Sequence, residues 1–92
     1  MPAPTLVRIP DRRPLLRAGL ERIARRADVR VVDDGRADLV LRSLDSPAEP
    51  DGAAECVEIV VTPDGACLIT CAKPPCPQVW DAVRRVVEAA AL

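Results

Sequence analysis

The stretch that decides the fold is residues 5–32, TLVRIPDRRPLLRAGLERIARRADVRVV, which reads as strand, helix, strand. Thr5 to Ile9 is a short β-branched and apolar run closed by Pro10, as expected where a strand ends at a residue with no N–H to give to a ladder. Pro14 stands where the first helical turn tolerates proline. Leu16, Leu20, Ile23, Ala24 and Ala27 then recur at helical spacing, and Arg17, Glu21, Arg22, Arg25 and Arg26 occupy the other face. Val29 to Val32, ended by Asp33-Asp34-Gly35, is a second strand.

Outward from this unit the elements are short. Leu39 to Leu41 is a third strand, and residues 43–55, with two Pro, one Gly and four acids, form a loop with at most a helical turn. Val57 to Val61 is apolar except for Glu58, as expected of a fourth strand covered on both faces. Pro63-Asp64-Gly65 makes a turn, Cys67 to Cys71 is a fifth strand, and Lys73-Pro74-Pro75 breaks the chain. From Pro77 a last helix carries Val79, Val83, Val86 and Ala90 on one face. Trp80, Val87 and Ala91 form a neighbouring apolar stripe, a candidate interface.

At 92 residues the chain is one domain, residues 1–92, with ample hydrophobic content (49%) for a core. It has no His, which excludes His-based acid–base catalysis, Ser–His–Asp triads and Cys₂His₂ zinc fingers. Trp80 is the sole aromatic residue, which argues against modules that stack single-stranded bases on rings. Net charge is −1, yet residues 1–42 carry ten Arg against six acids and residues 43–92 three basic residues against eight acids. The Arg-rich helix lacks a helix-turn-helix pattern and is interspersed with Glu21 and Asp28, so it reads as a solvated face or a protein contact rather than a nucleic-acid one. No apolar run approaches the roughly 20 residues that cross a bilayer. The first ten residues lack the pattern of a secretory signal. The expected location is the cytoplasm, with no membrane partner.

Several stretches resemble the receiver domains of bacterial response regulators, those of LuxR-type transcriptional regulators in particular. The segment Pro10–Leu20 resembles the family's stretch after its first strand, and Ala37–Pro47 its third strand. Val60-Val61-Thr62 is similar to a fourth strand ending in a switch Thr or Ser, Lys73-Pro74 to the Lys-Pro after the fifth, and Asp81–Arg84 to part of the last helix. The resemblance implies an α/β, flavodoxin-like sheet. It also implies a pocket in which two acids after strand one and an Asp ending strand three hold Mg²⁺ while that Asp accepts a phosphoryl group.

The sequence departs from that pocket. Asp11 is followed by Arg12, so one acid remains beside a cation, and the phosphoacceptor position falls on Ser43. Asp45 lies two residues farther, in the following loop. Thr62 and Lys73 remain of the pattern. A lone carboxylate is a poor Mg²⁺ site and an unassisted hydroxyl a poor nucleophile, so Asp11, Ser43, Thr62 and Lys73 read as a degenerate phosphoacceptor pocket. No catalytic residue, metal or cofactor is expected.

The chain is also short for the family. Only six residues, Asp33 to Asp38, separate strands two and three, and five separate strands four and five. Each connection contains Asp-Gly (Asp34-Gly35 and Asp64-Gly65), a hairpin signature, whereas the resemblance predicts parallel strands. The expected architecture is a trimmed receiver sheet of about five strands that keeps the first and last helices. The alternative is an α+β fold with two antiparallel hairpins. A trimmed sandwich is expected to leave apolar sheet surface for a partner.

Cys67, Cys71 and Cys76 with Cys56 upstream raise a cysteine-based metal or thiol-redox sensor as the alternative function. On a continuous strand, however, the Cys67 and Cys71 sulfurs lie about 13 Å apart, too far to share an ion, and small buried hydrophobes are the plainer role. The leading expectation is a phosphorylation-independent module for protein interaction or homodimerisation, without direct nucleic-acid contact.

Overall fold

The computed structural model describes residues 4–33, 37–45, 57–71 and 74–91. Strand β1 (Leu6–Arg8) leads to helix α1 (Pro14–Arg26), and β2 (Arg30–Val32), β3 (Leu39–Ser43), β4 (Val57–Val61), β5 (Cys67–Thr70) and helix α2 (Pro77–Ala90) follow. They form one five-stranded sheet in the order β2-β1-β3-β4-β5. β1 is parallel to β2 and β3, β3 is parallel to β4, and β5 alone is antiparallel to its neighbour. This strand order is that of the flavodoxin-like doubly wound sheet, here with the last strand reversed and with two helices among the described residues. The fold is a small α/β fold of trimmed flavodoxin-like arrangement.

The two Asp-Gly connections have opposite outcomes. Between β2 and β3 the strands stay parallel although six residues join them, because little strand length has to be re-crossed. Val7 is in register with both Val31 and Leu39. Leu39 therefore starts only about one residue below the end of β2 and two strand spacings across, roughly 10 Å away, well within the reach of about seven peptide steps. Residues 34–36 of this link lie outside the described residues. Between β4 and β5 the chain makes a true hairpin. The Gly65 N–H donates to the Thr62 carbonyl at 3.0 Å and the Thr62 N–H to the Ala66 carbonyl at 2.9 Å. Gly65 sits at φ 87°, the left-handed position of a three-residue hairpin loop, and Pro63 supplies the preset φ at its first corner.

Both helices cover one face of the sheet. Leu20 and Ala24 of α1 and Ala82, Val83, Val86 and Ala89 of α2 close over Val7, Leu39, Leu41, Val57 and Ile59. The buried stripe of α2 is turned slightly from expectation, with Ala82 and Ala89 innermost while Val79 and Ala90 are half-buried. The alanines let α2 approach α1, against which it packs. Burying a Leu or Ile side chain such as Leu39, Leu41 or Ile59 contributes about 1.5–3 kcal/mol, a large share of a net stability of about 5–15 kcal/mol.

α1 ends in a turn its sequence does not advertise. The Val29 N–H donates to the Ala24 carbonyl at 3.1 Å and the Asp28 N–H to the Arg25 carbonyl at 3.2 Å, the paired bonds of a Schellman motif. Asp28 takes the left-handed position, φ 58°, where Gly is usual. From α2, Arg85 Nε donates to the Ala27 carbonyl at 2.8 Å, satisfying one of the last carbonyls with a cation at the negative end of the helix.

On the opposite face the expectation of bare apolar sheet holds at β5, where Leu68, in register with Val60, is 56% exposed, and is corrected at β3 and β4. Val40 and Val60 are buried. In register they are flanked by Arg8, Glu58 and Arg42, and Arg42 Nη2 meets Glu58 Oε1 at 3.2 Å. Long charged side chains beside a valine keep their heads in polar company while their stems lie along apolar surface. Among the described residues the exposed large hydrophobics are Leu15, Leu16, Leu44, Leu68, Ile69 and Trp80.

Candidate functional site

The carboxyl ends of β1, β3 and β4 share one edge of the sheet, and the topology switches direction between β1 and β3. The crevice outside such a switch point is where open α/β sheets place ligands. Beyond β1, Asp11 turns inward and is only 1% exposed. Its carboxylate is held from within the chain. Oδ1 accepts the Arg13 N–H at 2.9 Å and Arg13 Nε at 3.0 Å, and Oδ2 accepts Arg13 Nη2 at 2.7 Å. The backbone bond to a residue two positions on is an Asx turn, and the two guanidinium bonds make a bidentate fork. The cation facing Asp11 is therefore Arg13, and the adjacent Arg12 is exposed. Pro14 contributes, because a residue before proline is held extended, and Arg13 has φ −70° and ψ 121°. Hydrogen bonding to Asp11, and then the charges of Asp11 and Asp45, hold the Arg13 guanidinium above its usual pKa.

The expected four-residue pocket is divided. Asp11, Arg13 and Asp45 line one cleft at this edge. Ser43, the last residue of β3, and Thr62, the first after β4, line a second, mainly apolar cleft of about 350 Å³ with Leu15, Leu16 and Leu44. Asp45 borders both. Lys73 lies outside the described residues. Leu16, expected on the core face, is on the wall of the apolar cleft, and Leu15 beside it is 89% exposed. A 13-residue helix is about 20 Å long, twice the length of a three-residue strand, so its first turn overhangs the sheet.

Thr62 serves the hairpin. Its hydroxyl donates to the Asp64 carboxylate and accepts the Ala66 N–H at 3.1 Å. The bond from Thr62 is the main reason the Asp64 carboxyl lies below its usual pKa. Sequence reasoning missed Arg17, which ties three elements together. Nη1 donates to the Ile9 carbonyl at 2.8 Å, Nη2 to Asp33 at 2.8 Å and Nε to Glu21 at 2.9 Å. The i,i+4 relation to Glu21 was visible in the sequence, but the reach to the end of β1 was not.

The interface stripe also separates. Trp80 is 46% exposed, whereas Val87 packs against the core. Ala91 is exposed beside the β4–β5 turn, its Cα 3.8 Å from where a Gly65 Cβ would stand. β5 adds Leu68 and Ile69, 56% and 41% exposed. Cys67, Cys71 and Cys76 are free thiols. Cys67 packs half-buried on the core, and burial pushes its thiol pKa up. Cys71 and Cys76 are exposed, so the expected role of buried hydrophobe fails for both. Cys56 lies outside the described residues. Among the described residues no three His, Cys, Asp or Glu side chains are grouped to hold a metal ion, and no helix is long and apolar enough to cross a membrane. In comparisons with known proteins, the chain matches no family model, no curated protein and no solved structure.

Proposed function

We propose that this chain is a receiver-like, phosphorylation-independent module for protein interaction and dimerisation in cytoplasmic signalling or transcriptional regulation. The observation that carries the reading is the Asp11–Arg13 fork at the switch point of the sheet. A receiver recruits Mg²⁺ with carboxylates at this place. Here the carboxylate already has a resident cation on the same chain, held by two side-chain bonds and one backbone bond. Ser43 presents a hydroxyl where the resemblance puts an acyl-phosphate-forming Asp, and a hydroxyl is a weak nucleophile unless a base activates it. The module is accordingly non-catalytic and takes no cofactor. Its partner is a protein, met through the exposed apolar residues of β5 and α2 rather than through nucleic acid or a membrane.

The test is titration with Mg²⁺ and beryllofluoride, followed by amide chemical shifts. No saturable change is expected at Asp11, Ser43, Asp45 or Thr62. A saturable shift centred on these residues would overturn the reading.

A further inference from the structure

Among the described residues the two outer edges of the sheet differ in a way that points to a partner. β2 has three residues, and its edge carries exposed Arg30 with exposed Asp33 just beyond, charges of the kind that keep edge strands from pairing. β5 carries no such protection. Residues 67–71, CLITC, contain no charge and no proline. Leu68, Ile69, Thr70 and Cys71 are all exposed, and β5 is the terminal strand of the sheet.

The hairpin fixes which backbone groups this edge offers. Antiparallel partners alternate between hydrogen-bonded and non-hydrogen-bonded pairs. The Thr62 N–H to Ala66 carbonyl bond makes that pair the bonded kind. Counting along the register, Val60 with Leu68 and Glu58 with Thr70 are bonded, and Val61 with Cys67 and Ile59 with Ile69 are not. The N–H and C=O of Cys67 and Ile69 therefore point away from β4, outward at the edge. The sequence CLITC is also nearly symmetric about Ile69.

We infer that a second copy of this chain adds its β5 antiparallel to this edge, with the two-fold axis at Ile69. The inference rests on the interaction reading above and names its partner and register. In this arrangement Ile69 exchanges both backbone bonds with Ile69 of the second copy. Cys67 stands opposite Cys71 of the second copy on the same face, and Leu68 stands opposite Thr70 of the second copy. No charge meets a like charge, whereas pairing two β2 edges would bring Arg30 near its own copy. A net charge of −1 adds little repulsion between copies. The contact is isologous, so it closes at two chains. The four residues of β5 with Cys71 just beyond them cover less than the roughly 800 Å² per partner of a standard interface, so the dimer is weak and dissociates on dilution.

The register supplies its own cross-link. Bonded antiparallel pairs hold their Cα atoms about 5.5 Å apart, within the roughly 4.4–6.8 Å a disulfide spans. With oxidised glutathione as oxidant, the Cys71 thiolate attacks one glutathione sulfur and expels a glutathione thiolate. The Cys67 thiolate of the other copy then attacks the Cys71 sulfur and expels the second. Two protein thiols are oxidised and one glutathione disulfide is reduced to two thiols.

The experiment uses the full chain, as an equal mixture of ¹⁴N- and ¹⁵N-labelled protein at high micromolar concentration. It is examined by sedimentation, and by peptide mass mapping after mild glutathione oxidation. The expected result is a dimer that dissociates on dilution and a Cys67–Cys71 cross-link joining ¹⁴N to ¹⁵N peptides. Ile69→Pro removes only an outward N–H, which an edge strand tolerates, and Ile69→Lys keeps the N–H while placing two cations on the axis. Each should return the chain to monomer at the same concentration and cut the mixed-isotope cross-link at least tenfold. If Ile69→Pro fails to fold, Ile69→Lys carries the test. A wild-type monomer, a cross-link through other cysteines, or a dimer that survives Ile69→Lys would overturn the inference. Phosphorylation independence is judged separately by the beryllofluoride titration.

Discussion

Replacing Gly65 by Ala tests how the β4–β5 hairpin is joined to the last helix. Gly65 holds φ 87°, and a Cβ there would meet the Ala90 carbonyl oxygen at 3.1 Å. Two costs follow. Left-handed backbone costs an L-residue about 1–2 kcal/mol. The contact with Ala90 is tighter than ordinary van der Waals packing and falls on backbone, so the end of α2 or the turn must shift by a few tenths of an ångström, adding up to about 1 kcal/mol. Ala also restricts the unfolded chain more than Gly does, which returns about 0.4–1 kcal/mol. The net expectation is a loss of about 1–2 kcal/mol. With m for urea of roughly 1–2 kcal/mol/M for a small domain, the midpoint falls by about 1 M at unchanged m, read by far-UV circular dichroism. Gly65→Asn separates the two costs, because Asn tolerates the left-handed region but still brings the Cβ. It should lie between wild type and Gly65→Ala. Equal midpoints for wild type and Gly65→Ala, or an Asn variant below the Ala variant, would refute the reasoning.

Asp28→Gly should stabilise by about 0.5–1 kcal/mol, since Gly takes the left-handed C′ position freely and a negative charge leaves the negative end of α1. The melting temperature should rise by about 3–6 °C, and a fall would contradict the Schellman geometry. Thr62→Val removes the bond that depresses the Asp64 pKa. That bond stabilises the fold above the unfolded carboxyl pKa of about 3.8 and is lost as pH falls through the lower folded value. Urea midpoints should therefore separate the variant from wild type at pH 6 and converge toward pH 2. Trp80→Glu should leave far-UV helicity intact, because the ring is half-exposed. Unfolding of that variant would assign Trp80 to the core instead. Native thiol titration should find Cys71 and Cys76 reacting faster than Cys67, whose thiol is half-buried with a raised pKa.

Most of the sheet was legible because its strands are β-branched runs between prolines and Asp-Gly turns. The strand–helix–strand opening was read from the spacing of Leu20, Ile23, Ala24 and Ala27, and both helices begin at the prolines that mark them. The direction of the short connections was not legible. Asp34-Gly35 and Asp64-Gly65 look alike locally, and only the pairing of Val7 with both Val31 and Leu39 makes the first a crossover. At the site, Asp11 was found by its place after the first strand, but the cation that pairs with it, Arg13, was not singled out. Adjacent side chains diverge on extended backbone, and the turn that brings Arg13 back depends on Pro14 fixing the start of α1. Leu16 was misplaced for a related reason, since periodicity gives the face of a helix but not how far the helix overruns a short strand.

At the switch point of the sheet Arg13 pairs with Asp11 within the chain, while Thr62 is spent on the hairpin turn. The same hairpin reverses β5, and the reversal turns the Cys67 and Ile69 backbone groups outward along an uncharged edge. A parallel fifth strand would need a crossover of a dozen or more residues, whereas the five-residue link between β4 and β5 carries no helix. A link this short therefore sets the direction of β5 without a helix. The Thr that the resemblance assigns to signalling becomes the staple of the turn that presents that edge.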